Sequence, residues 1–469
     1  MSPTFRSLHV RNYRLFAAGQ IVSNTGTWMQ RVAQDWLVLQ LTHNNATALG
    51  ITTGLQFLPM LLFGLWGGLI ADRYPKRRLL FITQSTMGLQ AILLGFLAIT
   101  HTATVWHVYG LAFVLGMVTA FDNPARQSFV VEIVGKEDLP NAVGLNSATF
   151  HAARVVGPAL AGLLINLVGT GPVFLINGVS YLAVLAGLFS MRETELRPAD
   201  PVERGSGQLM EGLRYVRHRR DLLLPIVVVG IVGTFGMNFQ MTMAIMAKSV
   251  FGKGAGAYGL LGTALAVGSL SGALLAATRA RPSRRLLVGS ATIFGLLEVV
   301  CGLMPSYFSF MALLVPTGVV LILLNTTANA TVQMGAGARM RGRVMALYMT
   351  VLMGGTPLGA PVIGWLADVA GARWSLIGGG VISAVGTAVA ALAIGGVPVR
   401  AGLRGALGLT PSRLEQVPPA GWAHPPDVSA AFSEQLIAGV AEPRQPRRRV
   451  ALEVERLAPV VAEEQADLR

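Results

Sequence analysis

The stretch GGLIADRYPKRRLL, residues 67–80, separates two long apolar runs. It places Asp72 beside Arg73 and adds three further bases from Lys76 to Arg78. Apolar runs of about 20 residues are long enough to cross a bilayer, and bases collect in the cytoplasmic loops of membrane proteins. The stretch is therefore typical of a short cytoplasmic loop between two membrane helices.

The composition of the whole chain indicates an integral membrane protein. Of its 469 residues, 52% are hydrophobic and only 13% are charged, whereas about 25% of the residues in a soluble domain are charged. The 55 glycines suit membrane helices that pack closely. The net charge of +14 lies mainly in short segments between apolar runs. Such segments encode topology, so we expect a lipid bilayer as partner and no nucleic acid.

Sequence motifs of enzymes and metal sites are missing. Cys301 is the only cysteine, so an internal disulfide is impossible. The chain has no CxxC, HExxH or GxxxxGK[ST] pattern, and nothing in it indicates metal chemistry or ATP hydrolysis. We therefore expect no cofactor, no metal and no enzymatic activity.

Twelve apolar segments are predicted to be membrane helices. The loops between them alternate between basic loops and loops whose only bases are Lys253 and Arg373. Short basic loops remain in the cytoplasm, so we predict an inner-membrane protein with both termini cytoplasmic. The predicted spans are residues 13–40, 48–70, 79–99, 106–126, 141–167, 173–191, 223–247, 257–278, 286–304, 309–331, 343–367 and 375–396.

The longest loop divides these spans into two sets of six. The predicted domains are a cytoplasmic N-terminus at 1–12, an N-terminal half at 13–191, a cytoplasmic linker at 192–222, a C-terminal half at 223–396 and a disordered cytoplasmic tail at 397–469. The halves resemble each other, because Pro-x-Arg-Arg-Leu-Leu at 75–80 recurs at 282–287. A six-helix repeat is typical of secondary transporters, whose binding site lies between the repeats.

The loop after the second span resembles the signature of the major facilitator superfamily, Gly-x-Leu-Ala-Asp-Arg-x-Gly-Arg-Arg. Pro75 replaces the usual glycine, and the match covers Gly68, Asp72, Arg73, Arg77 and Arg78. The resemblance extends over about residues 10–396 and implies an all-α membrane fold of twelve helices in two six-helix halves. An ordinary topology loop would explain the bases alone but not the acid.

The same loop suggests a cytoplasmic gate. Asp72 is placed to accept hydrogen bonds from the N-terminus of a helix in the other half, where the helix dipole is positive. Arg73 and Arg77 can pair across the loop. Such a cluster would close the cytoplasmic side in one state and release it in the other.

A second motif in the fifth span resembles the Gly-Pro-x-x-Gly-Gly motif of exporters in this superfamily. It comprises Gly157, Pro158 and Gly162, with Ala161 in place of one glycine; generic helix packing is the alternative interpretation. Stretches such as FDNPARQSFVVEIV and DLPNAVGLNS resemble the branch that includes the enterobactin exporter and macrolide efflux proteins. That resemblance implies export of a drug-like, antibiotic or siderophore-type small molecule. GxxxG pairs at 64/68, 268/272 and 355/359 are predicted to lie between the halves.

Polar residues in the first span recur on one helical face, which predicts that this face lines a wet cavity or contacts a partner helix. These residues are Gln20, Asn24, Thr27, Arg31 and Gln34. In the superfamily, spans one, four, seven and ten line the substrate cavity. Further cavity candidates in spans seven and ten are Asn238, Gln240, Met241, Asn325 and Asn329, although core packing is an alternative role for the methionine.

Three acids in predicted spans are candidates for proton coupling. Asp35 ranks first, because it lies on the cavity helix one turn from Arg31 and can pair with it. Asp122 lies one turn from Arg126, which favours a structural ion pair. Glu298 lies in a span expected at the periphery, where an oligomer contact or snorkelling is the alternative.

The sequence thus predicts a monomeric, proton-coupled antiporter that exports a small molecule by alternating access and contributes to multidrug resistance. One alternative is an importer or facilitator of a small metabolite. Another is a sensor or assembly factor without transport activity that acts through the C-terminal tail.

Overall fold

The computed structural model describes residues 3–197, 208–278, 282–337 and 340–395. Within these ranges the chain is helical and contains no strand. The predicted tail at 397–469 lies outside the described residues. The helices are α1 (Arg11–Leu41), α2 (Ala46–Arg73), α3 (Lys76–Ile99), α4 (Val105–Val168), α5 (Thr170–Phe189), α6 (Gln208–Arg217), α7 (Arg220–Phe235), α8 (Phe239–Ile245), α9 (Ala255–Ala277), α10 (Arg284–Leu303), α11 (Tyr307–Gly335), α12 (Arg341–Ala370) and α13 (Ala372–Gly395).

Ten stretches of the described chain are long and apolar enough to cross a membrane. The helix α1 is not among them, because its polar face lowers its mean hydropathy. The 64-residue α4 counts once but contains two spans, which meet at Gly135. With these two additions the chain has the twelve spans predicted from its sequence.

Gly135 allows the turn between the fourth and fifth spans. Its φ of 73° lies in the left-handed region, which a residue with a Cβ enters only with strain. A Cβ there would also meet the guanidinium of Arg197, whose backbone N–H donates to the carbonyl of Glu132 at 2.9 Å.

The seventh span is interrupted. It begins as α7, breaks at residues 236–238, resumes as α8 and ends in a π-helical turn, Met246–Val250. At the break, the side-chain amide of Asn238 donates to the freed carbonyl of Thr234 at 2.9 Å. The break places Gln240 at the start of the second piece, close to the N-terminal half.

The helices form two bundles that meet along two seams. The α1–α5 bundle and the α7–α13 bundle are each held by their own helix contacts, while α2 packs on α12 and α4 packs on α9 between the bundles. The second span thus packs on the eleventh, and the fifth span packs on the eighth.

The two ends of the bundle differ in charge. We call the end with the α2–α3 loop, the Gly135 bend and α6 the basic end, and the other end the opposite end. Because the chain crosses from one end to the other with each span, residues 46, 168, 255 and 370 all lie at the opposite end.

Candidate functional site

The polar face of α1 borders two large cavities that lie between the middle of the bundle and the basic end. One cavity of about 590 Å³ is lined by Gln20 and Asn24, and the next, of about 610 Å³, is lined by Asn24, Thr27 and Arg31. Both are also lined by Asn123 and Arg126 of α4. Four of the five predicted polar residues thus line these two adjoining cavities, which we together call the wet path.

Gln34 does not reach these two cavities. Its side-chain amide donates to the side-chain carbonyl of Gln56 on α2 at 3.3 Å, and the side chain is buried. Gln34 therefore links two helices of the N-terminal half.

The C-terminal half contributes an apolar wall with methionines. Met349 and Met353 of α12 line the 610 Å³ cavity, and Met241 lines a smaller one of about 100 Å³ beside Asp35. Methionine side chains adapt to irregular apolar shapes. The cavity therefore combines a polar N-terminal wall with an adaptable C-terminal wall.

Asp35 of α1 links the two halves, one helical turn beyond Arg31 on the side away from the basic end. Its Oδ2 accepts hydrogen bonds from the hydroxyl of Tyr258 at 2.6 Å and from the side-chain amide of Gln240 at 2.9 Å. Both donors belong to the C-terminal half, and Asp35 is buried.

The predicted pairing of Asp35 with Arg31 is not what the structure shows. Tyr258 and Gln240 donate hydrogen bonds to Oδ2 of Asp35. The Arg31 guanidinium instead lies against the ring of Trp28, with its Cζ atom 4.8 Å from the ring centroid. The one-turn spacing was compatible with a pair, but donors from the other half compete for the carboxylate.

Asp122 and Arg126 form the predicted structural pair. Arg126 donates from Nε to Asp122 Oδ2 at 3.0 Å, and its Nη2 also pairs with this oxygen. Asp122 Oδ1 accepts from Thr83 at 2.7 Å and from Gln84 at 2.8 Å. The remaining guanidinium nitrogen donates to Gln20 at 3.0 Å. The carboxylate is fully buried, and both of its oxygens accept hydrogen bonds.

Glu298 lies inside the C-terminal bundle and not on its surface. It is 2% exposed, which excludes snorkelling and contact with a second copy. A Cβ atom at Gly236 would lie 3.0 Å from Glu298 Oε2 and 2.7 Å from Ser383 Oγ, so α10 and α13 direct these oxygens at the break in the seventh span. Neither oxygen has a hydrogen-bond partner in the described part of the chain.

The asparagines predicted for the cavity have other positions. Asn238 caps the break in its own span, as described above, and also borders the 100 Å³ cavity. Asn325 and Asn329 line none of the three cavities described above. Leu321 of the same span lines a fourth cavity of about 190 Å³, which Asn325 and Asn329 do not line either. Their spacing placed them on one face of α11 but did not determine which way that face points.

The basic loop makes contacts within the N-terminal half. Arg77 donates to the carbonyls of Leu188 at 2.8 Å and Phe189 at 3.1 Å at the end of α5, and it pairs with Glu193. Lys76 pairs with Glu132 at 2.8 Å. Gly68 is buried, Asp72 is half-buried, and Arg73 and Arg78 are exposed. The partners of Arg77 thus lie at the end of α5 and at Glu193, within the N-terminal half.

The motif in the fifth span packs against two different helices. A Cβ at Gly157 would lie 2.5 Å from Trp28 Cβ on α1, whereas one at Gly162 would lie 2.8 Å from the carbonyl oxygen of Ala255 on α9. The carbonyl of Pro158 lies against Gly259 of α9. The motif therefore packs within its own half on one side and forms a seam on the other.

Two of the three predicted GxxxG pairs pack within one half and not between the halves. Gly268 and Gly272 pack on α11, and Gly355 and Gly359 pack on α7, all within the C-terminal half. A Cβ at Gly64 would meet nothing within 4 Å. The seam between α2 and α12 instead uses glycines nearer the opposite end, Gly50, Gly54 and Gly364.

An acid at the opposite end stabilises the seam between α2 and α12. Asp368 of α12 accepts from the backbone N–H groups of Ala46 and Thr47, each at 2.8 Å, and from the Thr47 hydroxyl at 2.6 Å. These are first-turn donors of α2, which lack partners within a helix. At the equivalent place on the other seam, Asn166 of α4 lies against the start of α9, 2.5 Å from a Cβ at Gly256.

Comparison with known proteins identifies the family. The transmembrane secretion effector family of the major facilitator superfamily matches residues 2–402. The chain belongs to this family. It is therefore a multi-pass membrane transporter for small molecules and not an enzyme. The superfamily that the loop motif indicated is confirmed.

Relatives of this transporter include efflux proteins. The staphyloferrin A transporter of Staphylococcus aureus (strain NCTC 8325 / PS 47) is 32% identical over 176 residues, which cover 37% of this chain and 44% of that protein. The multidrug efflux pump Tap of Mycolicibacterium fortuitum is 29% identical over 377 residues, covering 76% and 89%.

A solved structure has the same fold. A bacterial homolog of the human lysosomal transporter Spinster, in an inward-facing and unoccupied conformation, superposes with a TM-score of 0.63 and 15% sequence identity. The superposition covers 84% of this transporter and 98% of that chain. At this identity the likeness concerns the fold alone.

Sequence reasoning missed two contributors to the site of this transporter. Tyr258 provides the shorter hydrogen bond to Asp35, yet nothing in the local sequence of α9 distinguishes it from a core tyrosine. Asp368 has a detectable signal, since GLLINLVG at 162–169 and GWLADVAG at 364–371 align and place Asp368 opposite Asn166. Both segments end at a glycine with positive φ, Gly169 and Gly371.

Proposed function

We propose that this transporter is a proton-coupled exporter in the cell inner membrane, with its basic end in the cytoplasm. The observation that carries the proposal is the wet path along α1, which runs from Arg31, one helical turn before Asp35, toward the basic end. A solute would enter this path from the cytoplasm. The named activity of the relative Tap, multidrug efflux, supports the export direction.

The coupling step that we propose takes place at Asp35. As a carboxylate, Asp35 accepts hydrogen bonds from Tyr258 and Gln240 of the other half and so links the halves. A proton on this carboxyl group removes the charge that strengthens both hydrogen bonds. Protonation would therefore favour separation of the halves near the opposite end, and loss of the proton would favour their closure.

The basic loop is the proposed cytoplasmic gate. Lys76 and Arg77 anchor it to Glu132 and to the end of α5, which keeps the loop fixed to the N-terminal half. Asp72 at the end of α2 then moves with that half as a rigid part. In the proposed cycle it reaches the other half when the basic end closes.

Transport is tested first in a host that lacks its own efflux pumps. A growth-inhibition panel of fusidate, chloramphenicol and ethidium covers an anionic, a neutral and a cationic solute. A protected solute is then followed in inside-out vesicles, where we expect uptake when the membrane is energised and no uptake when it is uncoupled. Accumulation in right-side-out vesicles instead would establish import and overturn the proposal.

The coupling role is tested with Asp35→Asn in proteoliposomes. We expect loss of pH-driven accumulation with preserved solute exchange at equal pH on both sides, because asparagine keeps the size of the side chain but cannot carry the proton. The control is Asp221→Asn at the basic end, where Asp221 pairs with Arg219 away from the path. If Asp35→Asn still concentrates solute under a pH gradient, Asp35 is not the proton carrier and Glu298→Gln is the next variant.

A further inference from the structure

Two arginines face one small cavity in the middle of the bundle. The cavity of about 190 Å³ is lined by Arg31 of α1 and Arg154 of α4, together with residues of α8 and α9. Both guanidiniums lie against the ring of Trp28, with their Cζ atoms 4.8 and 5.5 Å from its centroid. Two cations are therefore held side by side at the seam between the halves.

These cations have no carboxylate partner among the described residues. The lining of the cavity contains no acid. In the described part of the chain Asp35, one turn from Arg31, forms no ion pair with it and accepts hydrogen bonds at Oδ2 from Tyr258 and Gln240. The Nε of Arg31 is buried and has no hydrogen-bond acceptor in the described part of the chain. Charged side chains within a membrane protein are costly without a partner and mark the places where a ligand binds.

The rest of the cavity suits an apolar body. Trp28, Phe239, Met243 and Leu321 supply aromatic and aliphatic surface. Met243 is buried. Phe239 packs edge-on against Phe294, with 5.8 Å between the two ring centroids. The cavity thus combines a cationic wall with an apolar wall.

We propose that this cavity binds an organic anion, with a carboxylate on the guanidiniums of Arg31 and Arg154 and a flat apolar body against Trp28 and Phe239. Guanidinium groups bind carboxylates by paired, charge-assisted hydrogen bonds. The inference rests on the proposed function, since it takes this cavity as the solute site of the transporter.

The site also lies next to the proposed proton acceptor. Arg31 lines both this cavity and the 100 Å³ cavity that contains Asp35. An anion bound to Arg31 therefore lies in the same electrostatic environment as the Asp35 carboxylate.

Binding of simple probes to the full chain in detergent tests the proposal. The probes are 2-naphthoate, its neutral amide 2-naphthamide and the cation 2-naphthylmethylammonium, measured by calorimetry in chloride-free buffer. We expect 2-naphthoate to bind at least about tenfold more tightly than the amide, the size of effect that a charge-assisted hydrogen bond produces. Equal or tighter binding of the amide or of the cation would overturn the proposal.

Variants then assign the anion to the two arginines. Arg31→Gln and Arg154→Gln should each weaken 2-naphthoate binding by about tenfold while leaving 2-naphthamide binding unchanged. The matched control is Arg285→Gln, which removes the same charge at an exposed position. Arg31→Lys and Arg154→Lys keep the charge and should retain part of the preference, which separates charge recognition from loss of folding. A preference that survives both Gln variants contradicts the assignment.

The outcomes separate this inference from the proposed function. Selective 2-naphthoate binding by a chain that shows no coupled transport supports the anion site and rejects the exporter. Coupled efflux of ethidium by a chain without a preference for 2-naphthoate supports the exporter and rejects the anion site.

Discussion

At the scale of single residues, Asp122 shows how a charge is kept inside a membrane bundle. Its two oxygens receive hydrogen bonds from Thr83, Gln84 and Arg126, so both its charge and its lone pairs are satisfied. Asp35 is equally buried, but its donors belong to the other half and must leave it if the halves separate. The same type of side chain thus stabilises one bundle at residue 122 and joins two bundles at residue 35.

We expect Asp122→Ala to be strongly destabilising. The substitution leaves the half-buried Arg126 without its carboxylate, and removing one partner of a buried pair costs about 3–5 kcal/mol. The thermal unfolding midpoint of the purified protein should therefore fall markedly. Glu193→Ala, which breaks the pair of an exposed acid with Arg77, is the control and should change the midpoint little. Similar losses in the two variants would contradict the structural role.

Sequence spacing predicted some of these contacts and could not predict others. Asp122 and Arg126 are four residues apart in one helix, so geometry alone brings them together. Asp35 and Arg31 have the same spacing, yet Tyr258 lies 223 residues away in the chain and takes the carboxylate. The sequence places Arg154 in the fifth span, but only the fold shows that it lies against the same tryptophan ring as Arg31.

At the scale of helices, backbone contact between glycine-containing helices forms the seams. At Gly50 a Cβ would clash with the carbonyl of Ala360 and lie 3.0 Å from the Cα of Pro361. Contacts of this kind tolerate no side chain but need no side-chain rearrangement to separate. The seam is therefore tight when closed and free of interlocked side chains when it opens.

Gly50→Ala is expected to weaken the closed seam between α2 and α12. Overpacking at such a contact costs about 1–3 kcal/mol, so the unfolding midpoint should fall. Gly64→Ala in the same helix is the matched control, because its Cβ meets nothing within 4 Å. Alanine is the better helix former, so the control should be neutral or slightly stabilising. Equal destabilisation by both variants would show that helix α2, and not the seam, is responsible.

The GxxxG spacing identified close packing but not the partner helix. Gly268 and Gly272 do approach a neighbour closely, yet that neighbour is α11 of the same half. A small-residue face fits any helix that crosses it, and the tilt of each helix decides which neighbour does so. Tilt depends on the packing of the whole bundle, which a pattern within one helix does not contain.

At the scale of the whole molecule, the alternation of basic loops predicted the number of crossings. The twelve spans, the six-and-six division and the superfamily followed from loop charge and one motif, because these signals are local in the chain. The break in the seventh span was not predicted, since Gly236 and Asn238 interrupt a stretch that is apolar enough to span as one helix. The hydrogen bond from Gln240 to Asp35 depends on that break.

Labelling of single cysteines tests the proposed orientation. Lys253→Cys at the opposite end should react with an impermeant reagent added outside the cell, and Arg217→Cys at the basic end should react only from inside. Cys301 is fully buried, so it remains in place and adds no signal. External labelling at residue 217 would show that the orientation is the reverse of the proposed one. The direction assigned to the wet path would then be wrong as well.

The two seams also differ in how firmly they are fastened. Asp368 holds the α2–α12 seam with charge-assisted hydrogen bonds, whereas the neutral Asn166 occupies the matching place on the α4–α9 seam, where the Thr263 hydroxyl donates to the carbonyl of Val155 at 2.9 Å. Hydrogen bonds to a charged group are about twice as strong as neutral ones. Once a proton on Asp35 has weakened its link to Tyr258 of α9, the α4–α9 seam should therefore part first and the α2–α12 seam last. In that order of events the halves rotate about an off-centre hinge axis near Asp368, instead of rocking symmetrically about the middle of the molecule.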